Sequence, residues 1–179
     1  MATWSGRGLR GSTLEELLNH TIEGYREKKL ALIQKIPTPI TPIEIEKETR
    51  HITLAYFDAK STVDYIGVVQ GIPVAFDAKE CAENTFPLHN LHEHQFAFMK
   101  DFEAQDGIAF LIIYYTAKRK MFYVPFVTIE KYWERMKEGG RKSITFEEIE
   151  AGSFSIDSSH LGHVPFLDAM NKDLSQRND

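Results

Sequence analysis

Several large protein classes are excluded by what this chain has little of. It contains a single cysteine, Cys81, so no intramolecular disulfide framework exists, and the usage fits a reducing cytoplasm. No stretch is long and apolar enough to span a membrane, and Met1-Ala2-Thr3-Trp4-Ser5 lacks the apolar core of a signal peptide. A cytoplasmic protein is expected. There is no internal repeat and no low-complexity tract. Basic charge is also scarce: 21 Lys and Arg stand against 26 Asp and Glu, a net charge of −5. That balance argues mildly against nucleic acid, whose phosphates are usually met by a basic surface. The argument fails for an enzyme whose own centre is acidic and whose basic residues cluster locally. What remains is ordinary for a globular protein, with 42% hydrophobic and 26% charged residues in 179. That length suits one domain with a sizeable core.

The informative stretch is Ser61 to Glu80. Two β-branched and aromatic runs hinge at Gln70-Gly71, the pattern of a β-hairpin. With the turn centred there, residue numbers of cross-strand partners sum to 141. Asp64 then faces Asp77, and Thr62 faces Lys79, in non-hydrogen-bonded pairs with Cβ atoms about 4.5–5.5 Å apart. Pro73 opposite Val68 fits, because its missing N–H would point away from the partner strand. Two carboxylates on one face repel unless one has a raised pKa, a salt bridge forms, or a divalent cation binds. Lys79 could simply be the salt-bridge partner. Two carboxylates, a hydroxyl and an ammonium also suit Mg²⁺, which activates water and clamps phosphate while the lysine offsets developing charge. The spacing Asp64…Asp77-Ala78-Lys79 resembles the acid…acid-x-Lys signature of restriction-endonuclease-like nucleases.

Around this hairpin the chain reads as follows. Residues 1–11 form a flexible basic arm carrying Arg7 and Arg10. A capping box of Ser12 and Glu15 opens a helix to about Lys29, with Leu14, Leu17, Leu18, Ile22 and Tyr25 as its buried stripe. A strand begins at Leu30. Pro37, Pro39 and Pro42 then introduce residues 38–58, read as a projecting two-stranded arm. After the hairpin a helix is predicted from about Leu88 to Ala104, where Gln95 is a polar residue on the apolar stripe. Gln95 either bonds a backbone group at the core edge or turns towards the carboxylates. Cys81 with His89, His92 and His94 could hold zinc, but the spacing matches no standard zinc pattern. Ile108 to Tyr115 is expected as the central strand and Met121 to Ile129 as the last core strand, with Pro125 at a bulge or edge. Lys118-Arg119-Lys120 makes a basic turn. Residues 129–138 form a short helix closed by Gly139-Gly140, followed by Arg141-Lys142 on a loop. An apolar island at Val164–Leu167 precedes a tail, 171–179, expected to fray.

In that order of elements the chain resembles the RecU family of Holliday-junction resolvases. The resemblance rests on Arg10-Gly11-Ser12-Thr13-Leu14-Glu15, Ala55-Tyr56-Phe57 before Ser61–Tyr65, Phe76–Glu80, Phe86–Gln95, Gln105–Ile108 and Gly140–Ile144. It spans roughly residues 8–150. It implies an α/β fold of the restriction-endonuclease-like kind, a mixed β-sheet flanked by helices with a projecting stalk at 38–58. Thr62, Asp64, Asp77 and Gln95 would surround Mg²⁺, with Mn²⁺ as the alternative, and Lys79 would steady the transition state. Asp64, Asp77 and Lys79 would be the catalytic set. The stalk would enter a four-way junction, with Phe57 at its base stacking on DNA. Four features depart from the family pattern: Asp77 stands where it has Glu, the loop to Gln95 is a residue shorter, the basic N-terminal extension is brief, and the stalk carries Glu44, Glu46 and Glu48.

The expectation is therefore a homodimeric, Mg²⁺-dependent endodeoxyribonuclease, acting in recombination and DNA repair and placing paired symmetric nicks that leave 5′-phosphates. Arg7, Arg10, Lys60, Lys118, Arg119, Lys120, Arg141 and Lys142 are the available phosphate contacts. Recombinase and branch-migration proteins are further candidate partners. The alternatives are a restriction-like duplex nuclease and a non-catalytic junction-binding or recombinase-modulating protein.

Overall fold

A computed structural model describes residues 14–57, 62–157 and 162–177 of the chain. In chain order the elements are α1 (Leu14–Glu27), β1 (Leu32–Lys35), β2 (Ile40–Ile45), β3 (Ile52–Phe57), β4 (Tyr65–Val69) and β5 (Ile72–Cys81). There follow β6 (Thr85–Pro87), α2 (Glu93–Glu103), β7 (Ile108–Tyr115), β8 (Lys120–Pro125) and α3 (Phe126–Lys137). The chain closes with β9 (Ser143–Thr145), α4 (Phe146–Ala151), β10 (Phe154–Ile156) and α5 (Phe166–Arg177). Six strands make one mixed sheet in the order β1-β4-β5-β7-β8-β10, with only β5 and β7 parallel. Helices cover both faces, so the α/β architecture is the expected one.

Strand alternation decides which side chains go to which face. Phe76 and Val74 of β5, with Phe110 and Ile112 of β7, pack under α1 and α5, while Ala75, Cys81, Leu111 and Ile113 pack under α2, α3 and α4. On the α1/α5 face Tyr65, Phe76, Phe110 and Tyr123 stack in a row across four strands, with ring centroids 4.8, 4.7 and 4.3 Å apart. Phe166 of α5 closes over that row, 5.3 Å from Phe76. Such rings bury large apolar areas and lock the strands' lateral spacing.

The hairpin register is the one read from the sequence. Tyr65 pairs with Phe76, Val68 with Pro73 and Val69 with Ile72. Gln70 (φ 47°) and Gly71 (φ 94°) both lie in the left-handed region, as a two-residue turn that follows strand twist requires. Gly67 of β4 pairs with Ile33 of β1, and its missing side chain leaves no gap there. A Cβ there would sit 2.3 Å from the Leu32 carbonyl oxygen and 2.6 Å from the Ile33 Cα. Both obstacles are backbone, so Gly67→Ala is expected to cost about 1–3 kcal/mol, as overpacking does, read as a lowered thermal midpoint.

The expected arm is a separate two-stranded ribbon among the described residues, β2 with β3, carrying register shifts between Pro42, Glu44 and Ile45. Four expectations need correction. The helix predicted from Leu88 is broken: a short turn at Leu88–Asn90 precedes an extended Leu91 and His92, and α2 starts only at Glu93. Pro125 is neither bulge nor edge. It ends β8 and leads directly into α3, where a missing N–H costs nothing. Nor is β8 the last strand, because β10 pairs with it. Finally, the tail does not fray from 171, since α5 runs to Arg177 with Met170 and Asp173 buried.

Candidate active site

The two carboxylates converge just beyond the last paired rung of the hairpin. The β4–β5 ladder begins at Tyr65, so Thr62 and Asp64 precede the strand rather than extend it. The Asp64 carbonyl accepts from the Ile36 N–H at 2.8 Å, on the β1 side. Its own N–H donates to Asp77 Oδ1 at 2.9 Å. Asp64 and Thr62 are half-buried, whereas Asp77 is fully buried.

Asp77 Oδ2 is the unusual atom of the site. The Lys79 ammonium stands 3.2 Å away, close enough for strong attraction but outside hydrogen-bonding alignment. This buried oxygen therefore has no hydrogen-bond donor among the described residues. Buried polar atoms are nearly always satisfied, so an exception at a carboxylate calls for a reason. The Asp77 pKa is pushed up to about 7, first by burial, then by the Asp64 carboxyl beside it, with Lys79 opposing. An acid whose pKa is raised first by burial and then by a second acid is short of positive charge.

Would a divalent cation fit? An orphaned carboxylate oxygen, a neighbouring half-exposed carboxylate and nearby neutral oxygens form a hard-oxygen donor set of the kind Mg²⁺ takes. Among the described residues no group of three or more His, Cys, Asp or Glu gathers, so the set rests on two carboxylates plus neutral oxygens. The same finding leaves no zinc cluster at Cys81, His89, His92 and His94. The Cys81 thiol is buried and donates to the Glu83 and Thr85 carbonyls.

Gln95 is buried at the start of α2. Its Oε1 accepts from the His92 N–H at 3.1 Å, capping its own helix, which is the backbone bond that one sequence reading foresaw. An amide oxygen carries a second lone pair, so this bond leaves one acceptor position.

Strand direction collects the basic residues. Because β5 and β7 are parallel, Cys81 lies beside Tyr115, and the Thr116 N–H donates to the Cys81 carbonyl at 3.0 Å. The Lys118-Arg119-Lys120 turn therefore sits at the end of the sheet to which β5 runs after Lys79. Pairing of Pro87 with Ser143, and the Leu88 N–H on the Lys142 carbonyl at 3.0 Å, bring Arg141 and Lys142 to the same end. Some of that charge is already engaged: Lys120 pairs with Glu150 at 2.7 Å, and Lys118 lies over the Phe146 ring at 4.6 Å. Phe57 is 76% exposed at the end of β3 rather than packed within the ribbon. Arg7, Arg10, Lys60 and the Ser12 half of the predicted capping box lie outside the described residues.

One polar contact was not foreseen. Glu80 Oε1 accepts from the Leu14 N–H at 2.7 Å across 66 residues. Only the hairpin register marks Glu80 as facing away from Asp77, and no sequence signal pairs it with a helix start so distant.

The structure thus gathers Asp64, Asp77 and Lys79 on a mixed sheet, with basic side chains collected at one end of it. The family model described as "Recombination protein U" matches residues 9–172, and the chain belongs to that family. Among curated relatives, the Holliday junction resolvase RecU of Listeria monocytogenes serotype 4a (strain HCC23) is 40% identical over 169 residues, 92% of this chain and 84% of that protein. The protein of the same name from Limosilactobacillus reuteri (strain DSM 20016) is 36% identical over 172 residues, 94% and 84% of the two chains. Among solved structures, Hjc of Archaeoglobus fulgidus, a Holliday junction resolvase, matches with a TM-score of 0.43 and 9% identity, covering 75% of this chain and 93% of that one.

Proposed function

We propose that this chain is a structure-specific endodeoxyribonuclease that resolves Holliday junctions by divalent-cation-dependent phosphodiester hydrolysis. The observation that carries this reading is Asp77 Oδ2, a buried carboxylate oxygen with no hydrogen-bond donor beside a second carboxylate and a lysine. Asp64 and Asp77 would hold the ion, Mg²⁺ or Mn²⁺, with Thr62 and Gln95 supplying neutral oxygens. When bound, the cation would activate water and neutralise phosphate charge. Lys79, half-buried and aimed at the carboxylates, places positive charge where the phosphorane gains negative charge, and low water access strengthens that interaction. Arg119, Lys118, Lys120, Arg141 and Lys142 hold the backbone of the DNA arms, and base edges are left largely unread.

Junction choice falls to the β2–β3 ribbon. A lone two-stranded ribbon is marginally stable in water, yet Ile43, Ile45, Ile52, Leu54 and Tyr56 are all exposed on this one. A homodimer that brings two ribbons together would cover them and relate two sites by the symmetry that paired nicks require. Phe57 remains free at the base for stacking on an unpaired base.

Cleavage of a synthetic four-way junction beside a linear duplex of matched sequence, with Mg²⁺, Mn²⁺ or EDTA, tests the reading. Junction-only cleavage, absent in EDTA, is expected. Cleavage of both substrates would indicate a restriction-like nuclease, and tight junction binding without cleavage in either metal would leave a binding protein.

A further inference from the structure

The turn between β7 and β8 is fixed at three points. Tyr115 pairs with Lys120 to close it, the Arg119 N–H donates to the Thr116 carbonyl at 3.4 Å, and the Thr116 N–H ties it to Cys81 at the end of β5. Arg119 completes the turn in the left-handed region (φ 53°), a backbone that glycine adopts at less cost than arginine. Its side chain is exposed, so burial does not compensate, and a local rule broken in this way is expected at a functional position. The neighbouring cations have other partners. Lys118 and Lys120 both lie over the Phe146 ring, at 4.6 and 5.3 Å, and Lys120 also pairs with Glu150. Arg141 stands 3.9 Å from Glu148. Arg119 has no ion pair among the described residues, and its guanidinium is a fork that fits phosphate through two parallel hydrogen bonds.

Phe146 also decides which way the turn leans. Its ring packs in the layer of Ala75 and Cys81, on the face of β5 to which Asp77 and Lys79 project by alternation. Lys79 lies beside Ile113, two residues before Tyr115, so the turn begins roughly 7 Å beyond the lysine. With one phosphate per 3.4 Å of helix axis on each strand, that span is about two nucleotides.

We propose that Arg119 sets the position of the cut: it clamps one phosphate of the strand being cleaved and so fixes which phosphodiester meets Asp77 and Lys79. Lys118 and Lys120 hold the turn against Phe146 and add positive charge without choosing a position. The proposal deepens the nuclease reading above and rests on it.

The test scans four-way junctions that carry one neutral methylphosphonate at a time, bound in EDTA so that nothing is cut, with wild type, Arg119→Gly and Lys118→Ala. At one position per site, neutralising the phosphate is expected to weaken wild-type binding about fivefold or more, and Arg119→Gly binding about twofold or less, because the contact is already gone. Arg119→Gly should also lower the slope of log affinity against log salt by about 0.9 per site. Arg119→Lys should restore that slope but only part of the peak in the scan. Lys118→Ala should keep the peak. Glycine suits the left-handed turn, so the Arg119→Gly thermal midpoint should stay within about 2 °C of wild type or rise. With Mg²⁺, wild type should cut at one position and Arg119→Gly over several neighbouring nucleotides. The same peak in wild type and Arg119→Gly, loss of the peak in Lys118→Ala, or a larger fall in the midpoint would overturn the proposal. The scan needs binding only, so a wild type that shows the Arg119-dependent peak without cleaving counts against the nuclease reading and leaves the phosphate clamp standing. A wild type that does not bind the junction would overturn both.

Discussion

Asp77→Asn is expected to lower junction cleavage by ~10³-fold or more, about 4 kcal/mol of transition-state stabilisation, while the cation-free protein stays as stable as wild type or becomes more so. Two opposite effects of one carboxylate lie behind this. As a cation ligand it is indispensable to the proposed chemistry. Without the cation, its ionised form is a buried charge that Lys79 only partly offsets, and burial lifts its pKa from 3.8 to about 7. The linkage has a definite sign. Between those values the folded protein holds a proton that the unfolded chain has released, so stability falls as pH rises through that window and levels off above it. The slope is at most about 1.4 kcal/mol per pH unit. It is the reverse of the usual behaviour of an aspartate paired with a cation. Denaturant titrations in EDTA from pH 4 to 8 should show the decline in wild type and not in Asp77→Asn. A variant that lost both cleavage and stability would mark Asp77 as structural.

The second large effect lies far from the site. Arg177→Ala is expected to destabilise the fold by about 3 kcal/mol, the cost of leaving buried charge unpaired. Arg177 grips both carboxylate oxygens of Glu103 at 2.7 and 3.0 Å and pairs with Asp173 at 3.1 Å. Asp173, 4% exposed, also accepts from the Tyr123 hydroxyl at 2.8 Å. Glu103 in turn accepts from the Ala109 N–H at 2.7 Å. One guanidinium therefore ties α5 to the end of α2 and the start of β7. Removing it strands Asp173 against a neutral phenol in the core. For a chain of this length the loss corresponds to a fall of roughly 6–12 °C in Tm. A drop of 2 °C or less would show that the helix is held by its apolar side chains alone.

The site and its scaffold were legible in the sequence to very different degrees. The hairpin from Tyr65 to Phe76 could be read to the residue because side-chain alternation and a two-residue turn leave one register open, but the expected Asp64–Asp77 and Thr62–Lys79 rungs lie beyond the ladder, and Asp64 meets Asp77 through its backbone N–H instead. The ribbon at 38–58 could be read from three prolines and an alternating run. The break before α2 was hidden because Leu88 and Leu91 continue the helical spacing, while the backbone makes a single 3₁₀ turn at Leu88–Asn90 and is extended at Leu91 and His92. The C-terminal helix was hidden for another reason. Its polar Asp173 looks solvated in sequence, and only its partners, the Tyr123 hydroxyl on β8 and the Arg177 guanidinium that also reaches Glu103 of α2, show it to be part of the interior. Glu80 belongs to the same group: its partner lies 66 residues away.

The central claim concerns resolution itself, and a supercoiled plasmid extruding a cruciform tests it most directly. Paired, symmetric incision by two related sites converts the plasmid to linear molecules, with nicks at matching positions on strands of like polarity and nicked circles only transient. Linear product in Mg²⁺ or Mn²⁺, none in EDTA and none from Asp77→Asn, is the expected result. Stable nicked circles would contradict paired incision by a dimer, and an untouched plasmid that the protein nonetheless binds would contradict the nuclease.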